Sequence, residues 1–176
     1  MKTKLICFFA LTVVFVGCNK IKDSATIPIS TELKANIPVV VLTQSKNSFN
    51  KAGEIVFNKT QDLTLAGNAD IEPYLSRIKE VGLNSLVVTI TGLSAGQTIN
   101  SVSLDVTGVG NLFTQTNITM SNNIFTPVIA ETTLDLVAAK LTDDMKITLT
   151  VSGTASGAMS FTVSLNFDAI IIAYLL

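Results

Sequence analysis

The chain has 176 residues, of which only 14% are charged, with a mean hydropathy of +0.52 and a net charge of −1. That composition excludes an intrinsically disordered chain, and the lack of any basic cluster excludes binding along a nucleic-acid backbone, which needs several cations to neutralise phosphates. Histidine is absent, which removes imidazole-assisted nucleophilic catalysis and histidine-ligated zinc, copper or iron sites within one chain.

Lys2 and Lys4 precede an apolar run from Leu5 to Val16 that is broken only by Thr12. The run is shorter than the roughly 20 residues of a spanning helix, and a positive, apolar and then small-residue layout is that of a secretory signal peptide. The segment Phe15-Val16-Gly17-Cys18 resembles the lipobox of bacterial lipoproteins, with Phe15 where Leu is the more usual residue. The resemblance implies that residues 1–17 are a signal peptide removed before Cys18. It also implies that Cys18 is the lipidation site, with a diacylglyceryl group on its thiol and an acyl chain on the new amine. Cys7 then leaves with the leader and Cys18 is consumed by lipid, so the mature chain has no disulfide. Losing Lys2 and Lys4 from the twelve basic residues leaves ten against thirteen acidic ones, a mature charge of −3.

Residues 18–30 read as a tether, polar and without clean periodicity, and containing Pro28. Asn19 stands where many lipoproteins held at the inner membrane carry Asp, so the resemblance favours the outer membrane and leaves open which face. Asp23-Ser24-Ala25 resembles a three-residue acceptor of some bacterial O-glycosylation systems, which makes Ser24 a candidate glycosylation site. Asn58-Lys59-Thr60 and Asn117-Ile118-Thr119 fit the N-glycosylation pattern, which has no meaning in most bacteria.

Residues 31–176 carry a period of two, the mark of half-buried strands. Ile37 to Leu42 is more continuously apolar and is expected to be a central strand or one crossing between sheets. Ile55, Phe57, Leu63 and Leu65 define the next strand. Ile71, Tyr74, Leu75 and Ile78 recur at helical spacing, with Asp70 as cap, Pro73 in the first turn and Gly82 as stop. Leu86, Val88 and Ile90 follow, then Val102, Leu104 and Val106, and a weaker strand from Leu112 to Met120. Turn residues separate them at Gly92 to Gly96, Gly108 to Asn111 and Ser121 to Asn123. A second short helix is expected from Thr133 to Leu141, with Leu134, Val137, Ala138 and Leu141 on one face.

Met145, Ile147, Leu149 and Val151 alternate with polar residues, as do Met159, Phe161, Val163, Leu165 and Phe167. Turn chemistry at Gly153 to Gly157 predicts that the two runs form one long antiparallel hairpin. Ala169 to Leu176 carries no charge and reads as a final strand buried on both faces, in the domain or in a homodimer. The sum is an all-β chain: an antiparallel β-sandwich, immunoglobulin-like or jelly-roll-like, with one or two short connecting helices. The layout of lipobox, tether and β-domain resembles many envelope lipoproteins, with Ile71 to Leu75 through Leu86 to Ile90 carrying most of the likeness, and brings no activity with it.

Little chemistry is left. Gly108-Val109-Gly110 lacks the third glycine and the helix of a phosphate loop. Glu131, Asp135, Asp143 and Asp144 match no calcium loop and read as a solvated helix end. Asp62, Asp70 and Glu72 are the carboxylates open to a glycosidase-like pair. Tyr74 and Tyr174, the only tyrosines in a chain without tryptophan, sit at apolar periodic positions and read as core, which lowers a sugar-stacking role. The leading expectation is a non-enzymatic envelope protein anchored through acyl chains on Cys18. It binds another envelope component or ligand through end loops such as Gly92 to Thr98 or Gly108 to Thr114, with no cofactor. A carrier of a lipid or other apolar ligand between the sheets, and a carboxylate hydrolase, are the alternatives. Growth with radioactive palmitate is expected to label the wild-type chain and not Cys18→Ala; an unlabelled wild type, or label persisting in the variant, removes the anchor.

Overall fold

The computed structural model describes residues 25–42 and 54–175; Cys18, Ser24 and the expected signal peptide lie outside the described residues. Eight antiparallel strands form two four-stranded sheets. Sheet I has the order β1 (Thr26–Val41), β8 (Met159–Tyr174), β3 (Ile78–Thr91) and β6 (Ile124–Phe125). Sheet II has the order β2 (Ile55–Thr64), β7 (Lys146–Ala155), β4 (Ile99–Val106) and β5 (Gly110–Ile118). Partners run 1 with 8, 2 with 7, 3 with 6 and 4 with 5, the pattern of a long hairpin rolled up on itself. This is the jelly-roll arrangement of the expected sandwich class, not the immunoglobulin one.

The roll corrects the predicted hairpin. β7 and β8 are both strands, but they lie in different sheets, joined across the sandwich by residues 156–158. Only β4 and β5 are successive strands paired in one sheet. Residues 153–155 are not turn but the end of β7. Gly153 pairs with Phe57 on one side and Val102 on the other. A Cβ there would run into the Ser101 carbonyl oxygen and lie 2.7 Å from Phe57 Cζ. The missing side chain lets the Phe57 ring sit edge-on to Phe161 of sheet I, with centroids 5.3 Å apart, in the geometry aromatic pairs prefer.

β1 begins at Thr26, so the last residues of the expected tether, Thr26 to Ser30, belong to the sheet. β1 bonds only to β8; it is an edge strand, not a central or crossing one. Its two prolines explain this, because a residue without an N–H is tolerated where no neighbour needs one.

The first predicted helix is corrected and the second stands. The first is only a 3₁₀ turn at Glu72–Arg77, and Ile78 to Gly82 is strand. Its N-cap residue is Ile71, with no side-chain cap; the Asp70 carboxylate takes a hydrogen bond from Thr31 instead. The second, α1 (Glu131–Asp144), is a full helix that buries Leu134, Val137, Ala138 and Leu141 as expected. It packs on β3 and β7, and the Thr142 hydroxyl accepts the Val81 N–H at 2.9 Å. The helix thus covers the part of the β3 edge that two-residue β6 leaves open.

Sheet I reaches beyond sheet II where β1 starts and β8 ends, since β2 stops at Thr64 and β7 starts at Lys146. There the 3₁₀ turn lies against β8 and α1 packs on the neighbouring β3, and Ala169, Ile171 and Ala173 are completely buried. The expectation that the oily C-terminal run is buried on both faces holds for one face only. Ile170, Ile172 and Tyr174 point outward and are half-buried. Tyr74 is also half-buried, under the Arg77 guanidinium, 5.5 Å from its ring centre, so neither tyrosine is core. Among the described residues no helix is long and apolar enough to cross a membrane.

Gly153→Ala is expected to lower stability by about 3 kcal/mol or more, since the clash is with backbone and a packed ring. Gly157, with open space around it, is expected to accept alanine within about 0.5 kcal/mol. Urea unfolding of the two variants checks this; equal midpoints would show that Gly153 is not needed for the ring packing.

Candidate functional site

An antiparallel strand sends its backbone groups alternately to its two edges. In β1 the Leu175 N–H bonds the Ala25 carbonyl at 3.0 Å, which places the odd-numbered backbone groups toward β8. The even-numbered ones therefore face the free edge, and both Pro28 and Pro38 have that parity. The Glu32 carbonyl accepts the Asn68 Nδ2–H at 3.0 Å on this side. In β2 the Leu65 N–H bonds the Met145 carbonyl at 3.0 Å, so the even-numbered groups from Val56 to Asp62 are turned away from β7. β1 and β2 are edges of different sheets, packed along one side of the sandwich. Among the described residues no backbone hydrogen bond joins them.

Two grooves lie in line on this seam. One, of about 440 Å³, is polar, bounded by Glu32, Lys34, Asp62 and the loop from Ala66 to Asp70. The other, of about 340 Å³, is bounded by Pro38 to Leu42 and Val56 to Lys59. It carries Val40, Leu42 and Val56 at 63%, 63% and 58% exposure. From Glu32 to Leu42 the seam runs about 33 Å at the rise of an extended chain.

The polar groove is held from below. Thr31, the one buried polar residue among the described residues, donates to Asp70 Oδ2 at 2.8 Å and accepts from Asn68 Nδ2 at 3.1 Å. Asn68 Oδ1 closes the loop on the Asp70 N–H at 3.0 Å. Across the groove Asp62 accepts from the Thr148 hydroxyl at 2.7 Å, and Lys146 stands 3.9 Å away. At the rim Glu32 and Lys34, two apart on the same face of β1, form an ion pair of 2.6 Å. The Lys34 hydrogen bond, with help from the Asn166 amide, holds the Glu32 carboxyl below its usual range.

The carboxylates raised by the sequence fall out as follows. Asp62 and Asp70 line the same groove, each taking a threonine hydrogen bond; Glu72 is not in it and begins the 3₁₀ turn. Glu131, Asp135, Asp143 and Asp144 are spread along α1, with Asp144 paired to Lys140 at 3.0 Å. Asp135 and Asp143, eight residues apart, are about 12 Å apart along the axis. Among the described residues no group of three or more metal-ligating side chains is close enough to hold an ion. Of the expected contact loops, Gly92 to Thr98 is a compact turn tied by Ser94 and Gln97, and Gly110 to Thr114 is strand β5. Sequence reasoning missed the seam, although Pro28 and Pro38 in strand-like runs signalled an edge. Comparison with protein-family models, curated proteins and solved structures gives no match.

A carboxylate whose pKa is depressed on folding stabilises the fold above its unfolded pKa, and that contribution is lost as pH falls through the depressed value. Glu32→Gln is therefore expected to be less stable than wild type near neutral pH. The gap should close as pH drops below about 4.3 and shrink in high salt. Urea midpoints across pH measure it; a gap that does not change with pH contradicts the assigned cause.

Proposed function

We propose that this chain is a membrane-anchored envelope lipoprotein with a non-enzymatic binding role, and that the β1–β2 seam is its recognition surface. Its ligand is an extended segment of another envelope polypeptide. The carrying observation is the pair of facing sheet edges, with no backbone hydrogen bond between them among the described residues and a polar and an apolar groove in line between them. An extended peptide satisfies an open edge with main-chain hydrogen bonds and gains specificity from the side chains beside it. Between Pro28 and Pro38 the free edge of β1 presents the N–H groups of Ser30, Glu32, Lys34 and Asn36. The prolines bound that window, which restricts pairing to short segments. The anchor rests on the Cys18 resemblance, and the outer membrane on Asn19.

The carrier reading has less support. The space between the sheets is filled by side chains such as Ile37, Leu104, Leu149, Val163 and Phe167, all at or near zero exposure, and the grooves open on the surface. A hydrolase would need Asp62 and Asp70 to act as a pair, and both are held in hydrogen bonds to threonines.

A photo-crosslinking side chain replacing Asn58, tested in intact envelopes, is expected to give a discrete adduct with another polypeptide. Asn36→Pro removes one free-edge N–H at a parity that already carries two prolines, so the fold should tolerate it while the adduct falls several-fold. An adduct indifferent to Asn36→Pro, or none at all, rejects the seam as the binding surface.

A further inference from the structure

The outward row of β8 changes character along its length. Ser160, Thr162, Ser164, Asn166 and Asp168 are polar; Ile170, Ile172 and Tyr174 are apolar and half-buried, with Ser30 and Gly82 beside Ile170, Pro28 and Glu80 beside Ile172 and Thr26 beside Tyr174. The register places this apolar third at one end of the sandwich. Thr26 pairs with Tyr174 and Pro28 with Ile172, so the chain enters the domain where β8 finishes. The 3₁₀ turn sits at the same end: Arg77 donates to the Leu175 carbonyl at 2.7 Å and covers Tyr74. Leu175 is 43% exposed. Both tyrosines of a tryptophan-free chain are therefore at this end.

We infer that this end, the outer face of Ile170, Ile172 and Tyr174 with Tyr74 and Leu175, lies against the lipid interface and sets the orientation of the domain on the membrane. The inference rests on the lipid anchor proposed above. Cys18 is eight residues from Thr26, so an acylated Cys18 keeps the start of β1 within about 30 Å of the bilayer. Tyrosine, with an apolar ring and a polar tip, is the residue type that favours the headgroup region. An arginine over a tyrosine ring adds a cation suited to anionic headgroups. β1 spans 16 residues, roughly 50 Å, so the apolar groove at Val40, Leu42 and Val56 is carried to the far end, away from the membrane.

The chain isolated from its host membranes can be placed in vesicles of phosphatidylethanolamine and phosphatidylglycerol with brominated acyl chains, and floated. With no tryptophan present, the emission reports only Tyr74 and Tyr174. Floated protein is expected to lose roughly half or more of that emission relative to unbrominated vesicles, because side chains seated about 5–10 Å into the interface meet the quencher. Tyr74→Phe should retain the quenching through Tyr174. Ser160→Trp, on the same face at the far end of β8, should show no quenching of its selectively excited tryptophan. Protein that floats with unquenched tyrosines, or with Tyr174 buried in a cross-linkable dimer, overturns the orientation and leaves the anchor standing. Quenching equal at Ser160→Trp also overturns it, and protein that does not float overturns both.

Discussion

Strand β8 turns eight side chains inward, from Met159 to Ala173, and every one is buried. It is bonded along one edge to β1 and along the other to β3. A strand paired on both sides has no free backbone groups to satisfy elsewhere, and its inner row can be apolar without interruption. The rest of the molecule is arranged around that row. Sheet II covers its first half, with Phe57 meeting Phe161; at its second half, where the small residues Ala169 and Ala173 lie in the inner row, the 3₁₀ turn lies against β8 and α1 against the neighbouring β3. The change of cover accounts for the two characters of the domain, a sandwich at one end and a sheet backed by helix at the other.

Much of this was legible in the amino-acid order, because burial fixes parity. The inward residues of β4, β7 and β8 are those the alternation predicts, and α1 buries the four residues its spacing singles out. Alternation says which way a side chain points but nothing about which strand lies beside it. The β7–β8 run would look the same as a hairpin in one sheet or as an arch between two. The glycines between them suggested a hairpin, yet Gly153 serves ring packing inside β7. Partnering in a rolled sheet is set by contacts far apart in sequence.

The overextended first helix has a different cause. Ile71, Tyr74, Leu75 and Ile78 recur at three and four, and a 3₁₀ turn at Glu72–Arg77 gives the same short-range spacing over a few residues. Ile78 already belongs to β3, whose register shifts at Ile78 to Glu80 and Leu83 to Ser85 blur the alternation that would have marked the strand. Pro73 was read as a permitted first-turn residue, and it does occupy that place, but in a 3₁₀ turn of six residues. The candidate site was the least legible part. Its side chains are ordinary surface residues, and only the two prolines of β1 hinted that an edge lies there.

Exposed edges invite indiscriminate pairing, and proteins blunt them with proline, charge and inward-turned polar residues. β1 has Pro28 and Pro38, while β2 has Lys59 and Gln61 at positions whose parity points inward. These devices do not close the seam; they divide it. The free N–H row of β1 is interrupted at Pro38. Beyond that proline the chain offers oily side chains in place of a continuous backbone ladder. A partner long enough to add a full strand would meet a missing donor at Pro38, and a flat apolar surface would find only a short patch there. Under the proposed reading, the segment that fits both halves is short and extended, with polar contacts at one end and apolar ones at the other. Specificity in such a proposed site would come from what the prolines and Lys59 refuse as much as from what the grooves accept.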